Sequence, residues 1–256
     1  MRERTVDVRG WQLRVLEGGA GPPVLFLHGA GGAAWSPLLE SLSRNWHVIA
    51  PEHPGFGRSA IPDWMMSVGD LAFFYLDALE ALGIAEAHLV GLSLGGWTAA
   101  EIAVRSTARL KTLALLAPAG IASEDAPFGD VFLWSAEETA RRMFHDPRLA
   151  EERIAGLAAA DLDIVLQNRA AAARLAWSPR FENPQLRHWL HRIDVPTLLV
   201  WGVEDRVVPF ACHREFLAEI PGAELLALPQ SGHGLQIERA PEVGRRLDAF
   251  FRGVRP

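Results

Sequence analysis

Gly91-Leu92-Ser93-Leu94-Gly95 stands between an apolar run, residues 87–90, and a helix-forming stretch, residues 97–104. A strand that passes into a helix within so few residues needs a backbone too tight for side chains, and the paired glycines permit it. Such a turn lifts Ser93 clear of the strand's end. The N-terminus of the following helix points at the same spot and favours negative charge there. The motif therefore predicts a shape, strand to turn to helix, and a chemistry, attack by a serine on an acyl carbon beside a developing oxyanion.

The remainder of the chain repeats that alternation. Residues 5–8 and 12–16 read as an antiparallel pair, followed by strands at 24–27, 47–50, 87–90, 113–116, 196–201 and 224–228. Helical patterns lie between them, as at 68–82, where Leu71, Phe74, Leu79 and Leu82 fall near one face. Strands alternating with helices predict a parallel sheet covered on both sides. One stretch breaks the rhythm. Between about Ile121 and Leu190 the patterns are helical only, at 136–144, 149–160 and 162–175, separated by Pro127, Pro147, Pro179 and Pro184. We expect a core of residues 1–120 and 191–256 and a helical cap of residues 121–190.

Two further pieces follow Ser93 in chain order. The buried strand at 196–201 ends in Gly202-Val203-Glu204-Asp205, a turn that places acids at a strand's carboxyl end; Asp205 is assigned as the triad acid, with Glu204 as its rival. The strand at 224–228 is followed by a loop that holds His233 between Gly232 and Gly234, and His233 is assigned as the general base. At the front, the strand at 24–27 enters His28-Gly29-Ala30-Gly31-Gly32, whose backbone can present N–H groups to an anion. Ala30 and Leu94 are expected to supply the oxyanion hole. A nucleotide-binding reading of this loop fails, because neither G-x-x-x-x-G-K-[ST] nor G-x-G-x-x-G is present.

Taken together, Leu27-His28-Gly29, Pro54-Gly55-Phe56-Gly57-Arg58-Ser59, Gly91-Leu92-Ser93-Leu94-Gly95-Gly96, Trp201-Gly202-x-x-Asp205 and Gly232-His233 resemble the α/β-hydrolase superfamily across nearly the whole chain. The resemblance implies a doubly wound, mostly parallel sheet of about eight strands, a helical cap inserted after the sixth, and a serine-histidine-acid triad. Some members place the acid after the sixth strand, where Glu124 and Asp125 stand. Relatives commonly carry an Asp shortly before the Pro-Gly-x-Gly turn; here Glu52-His53 stands instead, and His53 reads as a turn residue near the mouth of the site. A serine at the elbow sets the chain apart from the haloalkane dehalogenase and epoxide hydrolase branches, which use an aspartate.

Composition bounds the function. A net charge of −6 without a basic stripe argues against an electrostatic hold on nucleic acid or anionic membranes. The N-terminus lacks the apolar core of a signal peptide, no run reaches a bilayer-spanning length, and the one cysteine, Cys212, reads as structural. The expected location is cytoplasmic, as a monomer or homodimer. His188 and His191 have metal-like spacing but no third ligand, so neither metal nor cofactor is expected. The cap is rich in Phe128, Phe132, Trp134, Met143, Phe144 and Trp177, and we expect Trp134, Phe144 and Trp177 to contact a hydrophobic small-molecule substrate. Carboxylic-ester hydrolysis leads, with lactone or thioester cleavage close to it. Carbon–carbon bond hydrolysis of aromatic ring-cleavage products and cofactor-free perhydrolase or haloperoxidase chemistry remain open. A ligand sensor on a hydrolase scaffold is the reading from another class. Carbon–carbon hydrolases often carry Trp directly after the catalytic histidine, where this chain has Gly234.

Overall fold

The computed structural model describes residues 1–123 and 126–253. Among them, eight strands form one sheet: β1 (Arg2–Val8), β2 (Trp11–Gly18), β3 (Pro23–Leu27), β4 (His47–Pro51), β5 (Ala87–Leu92), β6 (Leu110–Leu116), β7 (Thr197–Gly202) and β8 (Glu224–Leu228). Their order across the sheet is β1-β2-β4-β3-β5-β6-β7-β8. β2 runs antiparallel to both β1 and β4, and every pair from β4 to β8 is parallel. The expected doubly wound, mostly parallel eight-stranded sheet is therefore present.

Parallel strands covered on both faces have no polar side, and the sequence shows it. Every residue of β5 and of β7 is buried. Helices α1 (Pro37–Leu42), α2 (Val68–Ala81), α3 (Leu94–Arg105), α4 (Ala136–Met143), α5 (Pro147–Ala155), α6 (Leu162–Ala176), α7 (His213–Glu219), α8 (Leu235–Glu238) and α9 (Ala240–Gly253) complete the chain. One flanking group joins α2, α3 and α7 through the tight turn Leu186–Arg192; the other joins α1, α8 and α9. α9 turns Val243, Leu247, Phe250 and Phe251 inward at helical spacing, and each such side chain contributes about 1.5–3 kcal/mol on burial.

Between β6 and β7 the chain forms the helical insert α4, α5 and α6, and each helix starts on a side-chain cap. Ser135 Oγ accepts the N–H of Glu138 at 3.1 Å, Asp146 Oδ1 that of Arg148 at 2.9 Å, and Asp161 Oδ1 that of Asp163 at 3.1 Å. The helix bounds differ from the sequence expectation: the second starts at Pro147 rather than at 149, and the third runs one residue further, to Ala176. The first helix stops at Met143, because Phe144 turns to an extended backbone, and the second gives way at Gly156 to a tight turn. No helix among the described residues is long and apolar enough to cross a membrane.

Register brings the carboxyl ends of five strands level. Leu27 pairs with Gly91, Leu92 with Leu116, Leu116 with Val200, and Gly202 with Leu228. The loops after β3, β5, β7 and β8 thus leave the sheet at one edge. Strand order reverses between β3 and β5, the position where open parallel sheets form a crevice.

Candidate active site

Past β5, Ser93 adopts φ 56° and ψ −117°, a left-handed backbone that costs a non-glycine residue on the order of 1–3 kcal/mol. The surrounding packing enforces it. A Cβ on Gly91 would come within 2.2 Å of the Gly95 carbonyl oxygen, and one on Gly95 within 2.2 Å of the Leu27 carbonyl oxygen. Any side chain at either place would push α3 off β5 or β3. Ser93 N–H donates to the Leu116 carbonyl at 2.9 Å, and its own carbonyl accepts from Trp97 N–H at 2.9 Å and Ala119 N–H at 3.1 Å. The serine itself is left half-buried.

Asp205 and His233 meet beyond β7 and β8. Asp205 Oδ2 lies 2.7 Å from His233 Nδ1, while Oδ1 accepts the N–H groups of Val207 at 2.8 Å and Val208 at 2.9 Å. The proton sits on Nδ1, which leaves Nε2 as the ring's acceptor. Both residues are buried. Glu204 turns elsewhere: its carboxylate accepts from Ser231 N–H at 2.9 Å and fastens the histidine loop to the end of β7. Glu124 and Asp125 lie outside the described residues. Among the described residues no hydrogen bond joins Ser93 Oγ to the imidazole, and bonds of this kind often tighten only once substrate is bound.

The loop after β3 closes as a four-residue turn, with Gly32 N–H donating to the Gly29 carbonyl at 3.1 Å. It rests on the elbow, since a Cβ on Gly29 would stand 3.2 Å from Ser93 Cβ. Leu94 is the first residue of α3, so its N–H has no acceptor within the helix. Ala30 N–H shares a peptide group with the Gly29 carbonyl, and that carbonyl is held from below. His28 Nε2 accepts the N–H of His53 at 2.9 Å, so its proton lies on Nδ1, which donates to Gly29 at 2.7 Å. His53 Nε2 donates in turn to the His28 carbonyl at 2.8 Å, and its Nδ1 accepts the Tyr75 hydroxyl at 2.6 Å.

His53 does open a turn, its carbonyl accepting Phe56 N–H at 3.0 Å, but its side chain is wholly buried, a correction to its placement near the mouth of the site. The partners of its ring come from the loop after β3 and from α2, far from it in sequence. Glu52, the other departure, anchors the turn that follows it: Oε1 accepts Arg58 N–H at 3.2 Å and Ser59 Oγ–H at 2.8 Å, and Oε2 accepts Arg14 Nη1 at 2.8 Å.

Burial pushes the His28 imidazole down to about 4, and burial, reinforced by His28, holds His53 well below the ordinary range. Burial likewise raises the Tyr75 hydroxyl. Both histidines stay neutral in the fold yet take a proton near pH 6.5 once unfolded, so their contribution to stability is complete above about 6.5 and declines as pH falls toward about 4. For His28 alone the difference amounts to about 3 kcal/mol. Thermal unfolding should show a melting temperature that drops between about pH 7 and about pH 5; a level profile would contradict the buried neutral pair.

Of the aromatic residues expected at the substrate, Phe144 is placed beside the histidine. Its ring covers Gly234, where a Cβ would come within 2.3 Å of Phe144 Cε1. Trp134 lies over Gly129 and under the Arg142 guanidinium, 4.6 Å from its ring centre. Trp177 is half-exposed, with Arg180 at 4.4 Å and Phe132 at 5.3 Å from its ring. Two insert contacts escaped the sequence reading. Glu238 accepts Asp146 N–H at 2.6 Å and Gly232 N–H at 2.7 Å, which ties the insert to the histidine loop. Asn168, on α6, reaches the loop after β3. The available signal for Asn168 was a lone Asn inside an alanine-rich helix, a residue that competes with helical hydrogen bonds unless it has another task.

Comparisons with known proteins agree with the fold. A model of the alpha/beta hydrolase family matches residues 24–246. The chain is 30% identical to the 2-hydroxy-6-oxo-6-phenylhexa-2,4-dienoate hydrolase of Comamonas testosteroni, over 96% of this chain and 93% of that one. It is also 30% identical to the dihydrolipoyllysine-residue acetyltransferase component of the acetoin cleaving system of Pseudomonas putida, over 96% of this chain and 68% of that one. The crystal structure of a bacterial membrane phospholipase A superposes with a TM-score of 0.81 at 26% identity, covering 99% of this chain and 86% of that one.

Proposed function

The chain belongs to the alpha/beta hydrolase family, and we propose that within it this protein is a serine hydrolase that cleaves a carboxylic ester of a fairly hydrophobic small molecule through an acyl-enzyme. The observation that carries the reading is the buried Asp205–His233 pair, hydrogen-bonded at 2.7 Å on the sheet edge that also holds the strained Ser93. His233 Nε2 takes the Ser93 hydroxyl proton as Oγ attacks the acyl carbon, and Asp205 stabilises the imidazolium that forms. Ala30 and Leu94 N–H groups receive the oxyanion, a contribution of about 3 kcal/mol per donor. The alcohol leaves with the proton from His233. A water, deprotonated by the same nitrogen, then attacks the acyl-serine, and the acid departs with Ser93 restored. Lactones and thioesters would follow the same course.

The insert α4 to α6 acts in this reading as a cap over the acyl or alcohol group, with Phe144 nearest the histidine. The aromatic side chains of the segment between β6 and β7, among them Phe132, Trp134, Phe144 and Trp177, support a hydrophobic substrate. Carbon–carbon hydrolysis is supported by the dienoate hydrolase relative, and it uses the same triad. Gly234, covered by Phe144, stands where such enzymes often place Trp.

Hydrolysis of p-nitrophenyl esters from acetate to decanoate, measured beside a ring-fission diketone, separates the two. We expect ester turnover with an optimum above acetate. Diketone cleavage with little ester turnover would move the assignment to carbon–carbon hydrolysis, and inertness toward both would overturn the proposal.

A further inference from the structure

Asn168 sits in the middle of α6, yet its carboxamide serves two loops of the core. Nδ2 donates to the Gly31 carbonyl at 3.0 Å, and Oδ1 accepts Gly57 N–H at 2.7 Å. The residue is buried, and the fit is close: a Cβ on Gly32, whose φ is 94°, would come within 2.5 Å of Nδ2. Gln167, its neighbour on the helix, donates to the Gly55 carbonyl at 2.9 Å.

The four-residue turn that carries Ala30 has two supports. From below, the His28 bond and the Gly32 bond both end on the Gly29 carbonyl and hold the start of the turn. The tip has less. Gly31 is exposed, and a Cβ there would meet nothing within 4 Å, so packing does not restrain its peptide. What holds the Gly31 carbonyl is Asn168, from the insert.

We propose that Asn168 is a positioning residue for the oxyanion hole: it fixes the tip of the turn so that Ala30 N–H is presented to the reacting oxygen, and it does so only while α6 is seated on the core. The proposal rests on the serine-hydrolase reading above. It makes the oxyanion hole a joint product of core and insert. A displacement of the insert would then lower the chemical step before it weakened substrate binding, because donor placement matters most where charge develops.

Asn168→Asp tests this without changing the side chain's shape. It keeps the acceptor for Gly57 N–H and replaces the donor toward Gly31 with an oxygen that repels the carbonyl. Three quantities are measured: kcat and KM for p-nitrophenyl butyrate, the inhibition constant of an alkyl trifluoromethyl ketone, and the melting temperature. The ketone reports on the hole directly, because Ser93 Oγ adds to its carbon, the hydroxyl proton passes to His233, and the ketone oxygen becomes the oxyanion. We expect kcat and ketone affinity to fall together by roughly 10- to 100-fold, with KM within about twofold of wild type. Asn168→Ala should behave alike. Gln167→Ala, which frees the same helix from Gly55 but leaves the turn untouched, should keep kcat and ketone affinity near wild type.

Wild-type ketone affinity in Asn168→Asp would overturn the proposal, as would an equal loss in Gln167→Ala, since either result would separate the oxyanion hole from this carboxamide. A wild-type protein that does not bind the ketone at all would instead overturn the serine-hydrolase reading, and the proposal with it.

Discussion

Replacing Ser93 with Ala is expected to remove turnover by about a millionfold while leaving the fold intact. The backbone at this position is left-handed for serine and would be so for alanine, and the elbow is held by Gly91, Gly95 and main-chain bonds to Leu116, Trp97 and Ala119 rather than by the hydroxyl. The substitution therefore deletes the nucleophile without altering the strain. Circular dichroism and the melting temperature should match wild type while ester hydrolysis falls to background. Activity that survived in Ser93→Ala would show that another group carries the chemistry.

Asp205→Asn should lower kcat by about ten thousandfold, the cost of presenting histidine in the wrong tautomer. The geometry forces this outcome. Oδ1 accepts two backbone N–H groups, from Val207 and Val208, so the amide oxygen of an asparagine must occupy that place. Its NH2 then faces His233 Nδ1, which becomes an acceptor, and the ring proton moves to Nε2, where a base is needed. Glu204→Gln should cost far less, because Glu204 binds the Ser231 N–H and not the imidazole. Steady-state kinetics of both variants decide the matter: a larger loss in Glu204→Gln than in Asp205→Asn would reverse the assignment of the acid.

The alternation of buried strands and amphipathic helices made the sheet readable, because strands covered on both faces leave long apolar runs such as β5 and β7. The order of Ser93, Asp205 and His233 was readable too, since each follows a strand's carboxyl end and two are flanked by glycines that close packing demands. What stayed hidden depends on contacts between distant segments. His53 was legible as a turn residue but not as a buried one, because Tyr75 and the His28 backbone, the partners of its ring, lie on other elements. Glu52 looked like a departure from the family pattern, yet its longer side chain still reaches Arg58 and Ser59 across the turn. Asn168 and Glu238 join the insert to the loops of Ala30 and His233 over long sequence separations, and no local pattern encodes the partner of a single carboxamide or carboxylate. The aromatic residues of the insert show the same limit: composition indicated an apolar segment, while the fold determined that Phe144 lies against Gly234 and that Trp177 is half-exposed.

Whether Ser93 is the nucleophile is read from the intact mass of the protein after exposure to a p-nitrophenyl alkylphosphonate, followed by peptide mapping. We expect one phosphonyl group per chain, attached to the peptide that contains Ser93, with one equivalent of p-nitrophenolate released, and neither in Ser93→Ala. An unmodified protein that still hydrolyses esters, or a phosphonyl group on any other residue, would contradict Ser93 in that role.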